Sequence, residues 1–108
     1  MYAALIGEVN GVRLLAPETL ASATREQASG KDEAMVTPSR FSTGYMLPTE
    51  GNLMTGPNAF GHTGRGGSLD FADPEHSIAF GYVMNRIISG SDDVRATSLT
   101  EAVRKALT

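Results

Sequence analysis

Gly61-His62-Thr63-Gly64-Arg65-Gly66-Gly67-Ser68 holds the densest run of candidate chemistry in these 108 residues. A phosphate-binding loop needs Gly, four residues, Gly, Lys and then Ser or Thr, but Gly67 stands where the lysine must be. Ser68 then leads into the strand-like Leu69-Asp70-Phe71 rather than a helix, so nucleotide binding is not expected. Metal spacing is no better. His62 and His76 lie 14 apart, there is no cysteine, and Asp70, Asp73 and Glu75 gather around a turn, where carboxylates are ordinarily solvated. Asp92-Asp93 supplies at most half of a calcium loop. We expect no metal and no cofactor. A self-contained nucleophile is missing too: no Gly-x-Ser-x-Gly elbow occurs, and Ala28 and Ala102 stand three residues before the two lysines, where a Ser-x-x-Lys pair would need serine.

The elements that must hold this stretch are read from periodicity. Tyr2, Leu5, Ile6 and Val9 predict a helix over 2–9, stopped by Asn10-Gly11. Pro17 and Glu18 suit the first turn of a second helix over 17–28, with Gly30 as terminator and residues 29–33 as a charged loop. From Phe41 the period approaches two. Strands are expected over 41–47, 58–63, 68–72 and 77–84, with Asp73-Pro74-Glu75-His76 turning the last two into a hairpin. Ser98-Leu99-Thr100-Glu101 has the form of a capping box for a helix over 98–107, with Leu99, Val103, Ala106 and Leu107 on its apolar face. The order predicts an α+β fold: an antiparallel sheet portion with flanking helices, in a single partial domain over 1–108.

Composition supports these elements and removes several classes. Of 21 charged residues, 9 lie in 1–40, only Glu50 and Arg65 in 41–69, and 10 in 70–108, while the middle segment carries 7 of the 12 glycines. Its Phe41, Tyr45, Met46, Leu47, Leu53, Met54 and Phe60 mark close packing rather than a linker. A net charge of −3 with no basic stripe argues against a nucleic-acid partner. No apolar run reaches the length of a membrane span, and the start has no basic region before its short apolar run, so neither a span nor a signal peptide is expected and a cytoplasmic location is the default.

The run from Asn58 through His62-Thr63-Gly64 to Asp73-Pro74-Glu75, followed by Ile78-Ala79-Phe80-Gly81-Tyr82-Val83-Met84-Asn85-Arg86, resembles the C-terminal part of the serine beta-lactamase-related family. That family holds class C beta-lactamases, D-alanyl-D-alanine carboxypeptidases and esterases. His62-Thr63-Gly64 is similar to its third motif, Lys-Thr-Gly, in the His-Thr-Gly form of the esterase-like branch. Leu14-Leu15-Ala16-Pro17-Glu18-Thr19-Leu20 and Phe41-Ser42-Thr43-Gly44-Tyr45-Met46-Leu47 resemble family segments upstream of that motif.

The resemblance implies that His62 adjoins a Ser/Lys/Tyr proton-transfer cluster, that Thr63 offers its hydroxyl to substrate, and that Gly64 permits close approach. It implies that the Arg65 N–H is an oxyanion donor. On residue chemistry alone, the same residues also read as polar faces of a strand followed by turn-forming glycines. Two family motifs have no counterpart: Ser-x-x-Lys is missing, and Tyr2, Tyr45 and Tyr82 are followed two residues later by Ala4, Leu47 and Met84 rather than Asn. The chain is therefore expected to be a C-terminal portion of a hydrolase acting on an ester, amide or lactam, inactive alone and prone to self-association. The alternatives are a non-catalytic interaction module, or half of a split enzyme that completes an upstream partner chain.

Overall fold

The computed structural model describes residues 1–34, 37–88 and 93–107. Among the described residues three helices, α1 (Tyr2–Ile6), α2 (Pro17–Ala23) and α3 (Arg95–Ala106), flank five strands. Strands β1 (Ala28–Lys31) and β2 (Pro38–Phe41) form an antiparallel pair; β3 (Phe60–Thr63), β4 (Leu69–Asp73) and β5 (Ile78–Tyr82) form an antiparallel meander with β4 in the centre. Met46 joins the two sheets, bridging Phe41 on one side and Gly61 on the other.

The alternation of β4 decides the layering. Its Leu69 and Phe71 face a core with Met54, Ala59, Phe80 and Ala96 of α3, whereas Ala72 faces Leu5 of α1, Leu20 of α2, Leu47 and Phe60. The sheet thus lies between α1 and α2 on one face and α3 on the other. Phe60 and Phe71 have no exposed surface. Burying each stabilises the fold by about 1.5–3 kcal/mol. Tyr2 and Tyr45 close the α1 face over Phe60, with ring centroids 6.0 and 4.9 Å away. Burial, then Tyr45 and Asp70, push the Tyr2 phenol above its ordinary pKa, so it stays protonated at neutral pH.

Several expected boundaries move. The first helix ends at Ile6 rather than residue 9: Gly7 is extended, and Asn10 and Gly11, at φ 51° and 81°, turn a tight hairpin bridging Val9 and Val12. The second ends at Ala23, and the expected charged loop over 29–33 starts as strand β1. All four β1 residues are exposed, so its ladder with β2 leaves no apolar period to read. The expected strand over 41–47 is a hairpin instead, because Ser42 N–H donates to Tyr45 O at 2.9 Å and Gly44 adopts φ 88°.

The C-terminal helix begins at Arg95, three residues before the expected cap. Ser98 lies within it, donating its N–H to Val94 O at 2.8 Å, so no capping box forms. The Asp93 carboxylate takes the Arg95 N–H at 3.2 Å. Leu99, expected on the apolar face, is 45% exposed, and the inward face carries Ala96 and the buried Thr100, whose hydroxyl returns to Ala96 O. The hairpin over 74–77 joins β4 and β5 as expected, with Asp73 opposite Ile78. Asp73, however, is the fully buried end of β4, not a solvated turn residue.

Candidate active site

Among the described residues, Met46 alone pairs with strand β3 from outside the meander, which leaves the rest of that edge without a strand partner. Gly61 exchanges both backbone bonds with Met46, at 2.7 and 3.0 Å. Ladder alternation turns the backbone groups of Phe60 and His62 toward β4 and those of Thr63 toward the same edge as Gly61. Gly61 must lack a side chain, since a Cβ there would collide with Asp70 O and the Phe71 backbone opposite.

Beyond β3 the chain makes a tight turn. Gly64 N–H donates to Ser68 O at 2.9 Å and Gly67 N–H to Gly64 O at 3.4 Å. Gly66 at φ 91° suits the third position of a type II turn, with Arg65 at the second. Among the described residues no acceptor meets the Arg65 N–H.

Thr63, Gly64 and Arg65 line one open cleft of about 420 Å³, together with Asp93, Ala96 and Thr97. Its size is within the range of small-molecule sites, about 300–1,000 Å³. His62 does not line this cleft. It occupies the opposite face of β3, with its ring 6.0 Å from Phe41 and Nδ1 against Thr63 O. Adjacent strand residues cannot share a face, so motif order alone separates the imidazole from the Thr63 hydroxyl. That hydroxyl points to Met46 Sδ at 3.9 Å. A Cβ on Gly64 would collide with Ser68 Oγ, so a side chain there would force the Ser68 hydroxyl to move.

Two polar groupings that stand out in the sequence tie distant backbone segments together. Asp73 Oδ2 accepts from Thr55 Oγ1 at 2.6 Å and lies 2.7 Å from His76 Nδ1, while Oδ1 accepts the Glu75 N–H. Burial pushes this carboxyl up, but the Thr55 and His76 contacts more than offset it and hold it below its ordinary pKa. Donor atoms of Asp73, Glu75 and His76 lie within 4.8 Å of one another, yet the Asp73 oxygens already serve the turn. Of the Asp92-Asp93 pair, Asp92 is outside the described residues. Asp93 takes a fork from Arg95, Nε to Oδ1 and Nη2 to Oδ2, each at 2.8 Å, and the guanidinium holds its carboxyl down to about 2. Sequence reasoning passes over Arg95; its signal is an opposite charge two residues after Asp93 at a helix start.

A family model described as Beta-lactamase matches residues 1–104. The chain belongs to the beta-lactamase family. Within that family it is similar to the esterase/beta-lactamase LipL of Mycobacterium tuberculosis (strain ATCC 25618 / H37Rv), 39% identical over an alignment of 92 residues that covers 82% of this chain and 21% of LipL. Among solved structures it is similar to a family VIII carboxylesterase, with TM-score 0.85 and 35% identity, covering 99% of this chain and 30% of that one. It is also similar to EstA from Arthrobacter nitroguajacolicus Rue61a, with TM-score 0.87 and 33% identity, covering 98% and 30%. A penicillin-binding protein homolog from Caulobacter crescentus matches with TM-score 0.83 and 34% identity, covering 98% and 29%. The chain thus spans between a fifth and a third of these beta-lactamase-family proteins. Its α+β architecture, small antiparallel sheets with flanking helices, is theirs over that span. Among the described residues no helix is long and apolar enough to cross a membrane.

Proposed function

We propose that this chain forms one wall of a serine-hydrolase site that cleaves an ester, amide or lactam through an acyl-enzyme, with the nucleophile brought by a segment outside this sequence. In that reaction a serine oxygen attacks the carbonyl carbon and the carbonyl oxygen becomes an oxyanion. The bond from that carbon to the leaving oxygen or nitrogen breaks, the leaving atom takes up the proton given up by the serine hydroxyl (and stays tethered in a lactam), and water hydrolyses the resulting acyl-enzyme. The Arg65 N–H would bind the oxyanion beside the nucleophile's own N–H, Thr63 would offer its hydroxyl to substrate, and Gly64 would let the carbonyl approach. His62, on the other face of β3, would adjoin the proton-transfer cluster. The observation that carries this reading is the Arg65 N–H, which among the described residues meets no acceptor and belongs to a residue lining the same cleft as Thr63.

The test assays the purified chain against a chromogenic ester and a chromogenic cephalosporin, alone and co-expressed with a family segment that carries Ser-x-x-Lys. No turnover alone, and restored turnover abolished by His62→Ala or Gly64→Val, is the expected result. Serine-dependent turnover by the chain alone overturns the proposal. Formation of a stable complex without turnover supports instead the reading as an interaction module, for which the exposed Val83 and Ile87 beyond β5 offer contact surface.

A further inference from the structure

We propose that Arg95 is a positioning residue for the Arg65 N–H, acting through two peptide groups of the Gly64–Gly67 turn; its catalytic meaning rests on reading that N–H as an oxyanion donor. The guanidinium is fixed before it reaches the turn. Besides the fork on Asp93, its Nη1 donates to Arg86 O at 2.8 Å. Nη2 then donates to Gly66 O at 3.0 Å, across 29 positions of sequence.

Planar trans peptides carry that constraint along the turn. The C=O of one residue and the N–H of the next lie antiparallel in one plane. Arg95 holds Gly66 C=O, which directs Gly67 N–H the other way, onto Gly64 O at 3.4 Å. Gly64 C=O shares its plane with the Arg65 N–H, which is thereby turned out of the hairpin. The chain of dipoles runs in one sense from a cation to the Arg65 N–H, and aligned hydrogen bonds polarise one another.

The packing leaves the turn little room to rotate. A Cβ on Gly67 would collide with Asp93 Oδ2 and come 2.9 Å from Arg95 Nη2; one on Gly66 would come 2.9 Å from Ile87 Cγ1. The two glycines, Gly66 and Gly67, adopt φ 91° and 118°, which lets the backbone sit directly on the ion pair.

The experiment is NMR on the isotopically labelled chain, comparing wild type with Arg95→Gln and Arg95→Lys. In Arg95→Gln the Arg65 and Gly67 amide protons are expected to move upfield and Gly67 to exchange about tenfold faster, while Ala72 and Phe80 stay unmoved. Arg95→Lys, which keeps the charge and one donor, should recover part of the shift. Unmoved Arg65 and Gly67 resonances, or equal movement of all four amides, overturn the proposal, since a merely structural Arg95 would act on the whole fold. Should Arg95→Gln not fold, the wild type decides: slowly exchanging Arg95 guanidinium protons, those on Nη2 in contact with the Gly67 Hα protons, are expected, and a freely rotating guanidinium overturns the relay. None of these readouts needs turnover, so the ester assay sinks or sustains the hydrolase reading separately.

Discussion

Thr55 Oγ1 donates to Asp73 Oδ2 at 2.6 Å, and Asp73 has no exposed surface. A hydroxyl from the loop before β3 thus anchors the end of the central strand. The same carboxylate takes His76 and the Glu75 N–H, so one buried charge ties the loop, β4 and the β4–β5 turn together.

Replacing that charge should make the stability difference depend on pH. The Asp73 pKa is held below its ordinary 3.8. A depressed carboxyl contributes its full stabilisation above the unfolded pKa and loses it as pH falls through the folded one. Asp73→Asn is expected to cost about 1.5–3 kcal/mol at neutral pH, the range for hydrogen bonds to a charged group. Thermal melts from neutral pH downward should show the two proteins converging below pH 3.8; a constant gap would contradict the assignment.

Gly61→Ala should be among the most damaging single-methyl additions. The new Cβ meets backbone atoms of Asp70 and Phe71, which cannot swing away as a side-chain tip can. A loss of about 3 kcal/mol or failure to fold is expected, at the upper end for overpacking. Urea unfolding measures it, and a loss indistinguishable from zero would mean that β3 and β4 are less closely apposed in solution.

Arg65→Pro separates the backbone donor from the fold. Proline suits the second position of the turn and removes an N–H that, among the described residues, has no acceptor, together with the Arg65 side chain, so Arg65→Ala, which keeps the N–H, is the control. Stability should be unchanged, while turnover of the complemented enzyme should fall by about 10²–10³ in kcat, as for loss of one oxyanion donor. Turnover within twofold of wild type would remove Arg65 from the site.

Gly64 serves both the hairpin and the cleft, and a double variant can part the two roles. Gly64→Ala collides with Ser68 Oγ and should destabilise the hairpin. Adding Ser68→Gly should return much of the thermal stability but not the turnover, if substrate approach also needs the missing Cβ. Recovery of both would assign the glycine to the hairpin alone.

The purified chain should self-associate. Val83 is 79% and Ile87 66% exposed, and among the described residues β5 has no partner on its outer edge. Sedimentation should show oligomers that Val83→Ser and Ile87→Ser shift toward monomer. A monodisperse wild-type monomer would contradict this.

The sequence by itself determined the elements whose residues carry a period or a turn chemistry. The β4–β5 hairpin was legible because Ile78, Phe80 and Tyr82 alternate and Asp73-Pro74-Glu75-His76 must turn. The Gly64–Ser68 turn was legible as glycine density, and the family as the embedding of His62-Thr63-Gly64. Only the tertiary structure decided what depends on partners far along the chain. Strand β1 exists because residues 38–41 pair with it, and the start of α3 is set by Asp93 and Arg95 rather than by Ser98 and Glu101. Strand alternation places His62 and Thr63 on opposite faces, but only packing shows that Thr63 faces α3 and that Arg95 grips Gly66 O from 29 residues away. Periodicity records which face of an element is buried; hydrogen bonds between distant backbone and side-chain groups leave no period to read.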